Sequence, residues 1–179
     1  MNTNTEKIKK SRKQSKVILL VVPADTYNQS LLKFVKKIDK NKICYVSINK
    51  GHSALVEAFK SKKINLKNLF FIDCVTKTIF EPKEEHNCVF ISSPKAITEL
   101  SLALNKLMDA SFPSILVDSL STLMIYHKSK TITKFIHHLI NEARVNSDIY
   151  LTLTISDKDR NTELYSKIEV LVDEVIKLK

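Results

Sequence analysis

Val17-Ile18-Leu19-Leu20-Val21-Val22-Pro23-Ala24-Asp25-Thr26-Tyr27-Asn28-Gln29-Ser30 is the stretch on which the fold turns. Its first six residues are an unbroken β-branched and leucine run closed by Pro23, the pattern of a strand covered on both faces in a parallel sheet. A helix is expected next, over residues 26–39. There Leu31, Leu32, Val35 and Ile38 recur at helical spacing, while Lys33, Lys36 and Lys37 point outward.

The same alternation continues along the chain. Strands are expected at 43–48, 69–72, 88–91, 115–117 and 149–155, and helices at 53–60, 96–108 and 132–143; a last apolar segment, 170–178, closes the sequence. Residues 75–87, with Pro82 and the run Lys83-Glu84-Glu85, read as an exposed connection. Strands alternating with crossover helices over some 160 residues call for a three-layer α/β sandwich with a mostly parallel sheet flanked by helices. One domain, residues 17–179, is expected behind a basic, disordered tail, residues 1–16.

Composition narrows the function. The 179 residues carry 29 Lys+Arg against 19 Asp+Glu, a formal charge of +10, and six of the basic residues with one Glu fall in residues 1–16. The single glycine, Gly51, excludes an intact P-loop, a GxGxxG fingerprint and a GxSxG elbow, since each needs at least two glycines. Cys44, Cys74 and Cys88 form no CxxC pair and adjoin apolar runs. They read as buried thiols of a protein in a reducing compartment, here taken as the cytoplasm. The six-residue apolar run after the basic start is too short for a signal segment, and far below the ~20 residues that span a bilayer.

Ligands of such sheets bind beyond the carboxyl ends of the strands, where Asp25, Asp73, Asp118 and Asp157 lie. Each has an ordinary alternative as a cap of the next turn or helix. The turn Pro23 to Ser30 has the length of GxxxxGK[ST], yet only Ser30 keeps the pattern: proline removes an N–H donor and Gln29 brings no charge. Asn28 tolerates left-handed geometry, so the loop retains its shape and loses its electrostatic grip.

Ser114-Ile115-Leu116-Val117-Asp118-Ser119, followed by Leu120-Ser121, is an apolar strand ending in aspartate. This stretch resembles the RecA-superfamily ATPases, in particular the KaiC-like branch. Ile43-Cys44-Tyr45-Val46-Ser47 is similar to that family's second strand, Asn68-Leu69-Phe70-Phe71-Ile72-Asp73 to its third and Leu171 to Leu178 to its closing strand, so the resemblance spans residues 17–178. It implies a RecA-like fold, ATP with magnesium as the ancestral ligand, and side-by-side assembly. Only Ser30 and Asp118 match positions it associates with the nucleotide and its magnesium; with Asn28 and Gln29 they would make up a residual nucleotide site. The family's catalytic carboxylates would fall near Ile48 and Asn49, neither of which is a base. With no P-loop lysine and no water-activating acid, phosphoryl transfer is not expected. The resemblance then implies a pseudo-ATPase without catalytic residues, cofactor or metal, acting as a regulatory or protein-interaction module that associates with itself or with an active relative. The alternatives are weak ATP binding, or nucleic-acid binding through the N-terminal tail.

Three other patterns carry less. His137, His138 and Glu142 lack the third clustered ligand of a zinc site. A phosphoacceptor receiver domain needs paired acids after its first strand, where only Asp25 stands. No nucleophile with an adjacent base supports a small metabolic enzyme.

Overall fold

The computed structural model describes residues 15–38, 40–110, 112–146 and 148–179. The basic run 1–14, which holds most of the expected tail, lies outside them. Among the described residues seven strands form one sheet: β1 (Val17–Val22), β2 (Ile43–Ser47), β3 (Leu69–Asp73), β4 (Cys88–Phe90), β5 (Ser114–Asp118), β6 (Tyr150–Ser156) and β7 (Glu174–Lys177). Their order is β4-β3-β2-β5-β6-β1-β7, and every neighbouring pair is parallel. The expected mostly parallel sheet is thus parallel throughout.

Among the described residues six α-helices cover it: α1 (Tyr27–Ile38), α2 (His52–Ser61), α3 (Ile97–Asp109), α4 (Leu120–Tyr126), α5 (Ser129–Val145) and α6 (Glu163–Glu169). Successive strand residues face opposite sides, so β1 divides its side chains between two cores. Ile18, Leu20 and Val22 pack in a core with Leu31, Phe34 and Val35 of α1 and Leu55 and Phe59 of α2. Val17, Leu19 and Val21 enter the other core, with residues of α3, α4, α5 and α6. All six residues of β1 are buried, which is why the run lacks polar alternation.

Where the structure departs from the expected elements, local geometry explains it. On α1 the buried stripe is Leu31, Phe34, Val35 and Ile38, spaced i, i+3, i+4, i+7, and Leu32 sits at its margin. The short α6 escapes periodicity because it has only seven residues; its start is set by Thr162, whose hydroxyl accepts from the Tyr165 N–H. Cys44, Cys74 and Cys88 are buried free thiols, and burial raises the Cys88 thiol to about 12. Among the described residues, no helix is long and apolar enough to cross a membrane.

Candidate functional site at the carboxyl ends of the strands

β1 and β5 are separated by β6, whose Ser156 pairs with Val22 on one side and whose Leu153 pairs with Val117 on the other. This arrangement brings the turn after β1 toward the end of β5. The turn runs through a short 3-10 helix, Ala24–Thr26, into α1.

Asp118 ends β5 with 1% of its surface exposed. Tyr45 of β2 donates its hydroxyl to Asp118 Oδ2 at 2.5 Å, and Tyr27, the first residue of α1, donates to Oδ1 at 2.9 Å. Tyr27 Oη also lies 2.8 Å from Thr154 Oγ1, and Thr154 donates to the Val117 carbonyl at 3.0 Å. With those two protons placed, the Tyr27–Thr154 contact has none while Asp118 is a carboxylate. A proton on Asp118 lets Tyr27 turn its own toward Thr154 and completes the chain. Burial pushes the Asp118 carboxyl above its ordinary range, partly offset by the hydrogen bonds from Tyr45 and Tyr27 and by the Lys50 charge. Both phenols are in turn pushed upward, by burial first and by Asp118 second.

The other positions singled out in the turn face different ways. Ser30 is buried, and its hydroxyl lies 3.0 Å from Thr26 Oγ1. Asn28 and Gln29 are exposed, and Asn28 Oδ1 accepts from Lys50 Nζ, which reaches over from the end of β2. The Ala24 N–H donates to Asp157 Oδ1 at 2.9 Å, and Asp25 meets Lys158 at 3.4 Å in an exposed pair. The hydrogen bonds therefore join Asp118 to Tyr27 rather than to Asn28, Gln29 or Ser30. The cap of α4 is Ser119, whose Oγ accepts from the Thr122 N–H, so Asp118 is free of that role.

Asp73, at the end of β3, is a junction of another kind. It accepts from the N–H groups of His52 (2.6 Å), Val75 (2.7 Å) and Thr76 (3.0 Å) and from the Thr76 hydroxyl (2.5 Å). Gly51 lies against this junction: a Cβ there would stand 2.7 Å from Thr76 Oγ1. Among the described residues no group of three or more His, Cys, Asp and Glu side chains is placed to hold a metal ion. His138 instead meets Asn105 at 3.3 Å.

Tyr27, Tyr45, Thr154 and Lys50 escaped the sequence reading. Tyr45 was hidden in a strand-like run, and the signal that would have found it is its parity: with Asp118 paired to Ser47, residue 45 is the next one along that face of β2.

No protein-family model matches the chain, and no curated protein matches it. Among solved structures, a KaiC-like protein from the hyperthermophilic archaeon Pyrococcus horikoshii superposes with a TM-score of 0.64. The likeness covers 92% of this chain and 73% of that one, at 11% identity. The fold is RecA-like, of the KaiC type. A likeness at that identity carries architecture and no chemistry.

Proposed function

We propose that residues 17–179 form a RecA-like domain that works without ATP hydrolysis, through contacts with another protein or with further copies of itself. The observation that carries this reading is the occupation of both Asp118 oxygens by phenol hydroxyls. Magnesium with a triphosphate requires an open carboxylate, free loop amides and a cation against the outer phosphates. Here the Ala24 amide faces the Asp157 carboxylate, which would repel a phosphate, and Ser30 turns to Thr26. The residues present do not fit the nucleotide.

Large apolar side chains stand exposed in segments that follow the carboxyl ends of β3 and β5: Ile79 (75%), Phe80 (59%) and Ile125 (75%). They favour a protein partner. The second reading, weak ATP binding without turnover, is favoured by Lys50 Nζ beside Asn28.

Purified full-length protein should show no ATP hydrolysis above background, and its association with itself or with a captured host protein should be lost in Ile79→Asp/Phe80→Asp or in Ile125→Asp. Hydrolysis that Ser30→Ala or Asp118→Ala stops would contradict the reading.

A further inference from the structure

The modest basicity of the domain conceals a segregation of charge. Residues 33–67 contain ten lysines against Asp39 and Glu57, a net +8, whereas residues 68–179 hold 13 Lys+Arg against 15 Asp+Glu, a net −2. The parallel sheet converts this segment into a surface. Because α1 and α2 each return the chain from the carboxyl ends of the strands, both helices end at the amino edge of the sheet. Lys36, Lys37 and Lys40 stand exposed at the end of α1, and Lys60, Lys62 and Lys63 at the end of α2. The two ends touch, since Lys36 Nζ donates to the Lys63 carbonyl. Exposed Lys42 and Lys67 lead into β2 and β3, whose first residues, Ile43 and Leu69, are paired in register.

Helix dipoles account for part of this set, because cations are favoured in a last turn. They do not account for Lys40, Lys42, Lys62, Lys63 and Lys67, which lie beyond the helices. Lys63 occupies left-handed backbone, φ 54°, just past the end of α2, where glycine is the easier residue. None of the exposed large apolar side chains of the described residues lies in 33–67, so neither membrane insertion nor stacking on unpaired bases is provided for.

We propose that the ends of α1 and α2, with the residues leading into β2 and β3, bind the phosphate backbone of double-stranded nucleic acid without reading its sequence. The inference is independent of whether the site at Asp118 takes a nucleotide.

The test is fluorescence anisotropy of the full-length protein with a labelled 30-base-pair duplex of arbitrary sequence, over a series of salt concentrations. Dissociation constants of about 10⁻⁶ to 10⁻⁴ M are expected near physiological salt. The triple variant Lys37→Gln/Lys62→Gln/Lys67→Gln should flatten the log–log salt slope by about 2 to 3, the loss of roughly 0.9 per phosphate contact. The equally charged variant Lys106→Gln/Lys130→Gln/Lys134→Gln, on α3 and α5, should change it by less than half as much. Lys63→Gly should raise Tm while weakening binding, a combination that a purely structural lysine would not give. Equal losses from the two triple variants, an unchanged slope in the first, or capture by phosphatidylserine vesicles with no affinity for the duplex would each overturn the proposal.

Discussion

Asp73 and Asp118 end two strands that flank β2, both are buried, and both follow an apolar run. Their surroundings differ in the donors they meet. Asp73 gathers three backbone N–H groups and one hydroxyl, a set that ties the start of α2 to the turn after β3. Asp118 gathers two phenols delivered by α1 and β2, and the contact of one of them, Tyr27, with Thr154 is completed when the carboxyl holds a proton. An aspartate at a strand end is therefore not by itself a ligand for a metal; the donors supplied by neighbouring elements decide what it does.

Replacing each acid separates the two roles, and the larger effect belongs to Asp73. Asp73→Ala leaves three amides and a hydroxyl without their acceptor, so a loss of about 3 kcal/mol is expected in urea unfolding. A loss below about 1 kcal/mol would show that water replaces the carboxylate at little cost. Gly51→Ala probes the same junction through crowding: a Cβ 2.7 Å from Thr76 Oγ1 must displace that hydroxyl from Asp73, and about 1 to 2 kcal/mol of destabilisation is expected.

Asp118→Asn should be milder, within about 1 kcal/mol near neutral pH, because the amide keeps an acceptor and adds a donor. Its signature is the pH dependence. The folded-state pKa of Asp118 is raised above the unfolded value, which is about 3.9, so the contribution of this group is full below that pH and is lost as pH rises through the folded value. Urea midpoints from pH 4 to pH 8 should show wild type losing ground steadily to Asp118→Asn. A difference that is flat, or that runs the other way, would mean that the carboxyl is held as an anion.

The fold was largely legible because its signals are local. Val17–Val22 is uniformly apolar for a physical reason, coverage on both faces, and Ile115-Leu116-Val117 shares it. Helix α6 was not legible, since two turns capped by Thr162 leave no period to read. At the site, Asp118 stood out by its position at a strand end, whereas Tyr27 and Tyr45 meet it across 91 and 73 residues of chain. No spacing rule reaches that far. The basic surface was open to a count over residues 33–67, but only the return of α1 and α2 to a common edge makes the count a place.

The site facing the first turn is closed around Asp118, and isothermal titration with MgATP probes that closure. Wild-type protein should give no saturable heat up to millimolar nucleotide and no rise in unfolding temperature. A binding isotherm in the micromolar range that Asp118→Asn removes, with stabilisation approaching about 2.7 kcal/mol at a hundredfold excess over Kd, would contradict it.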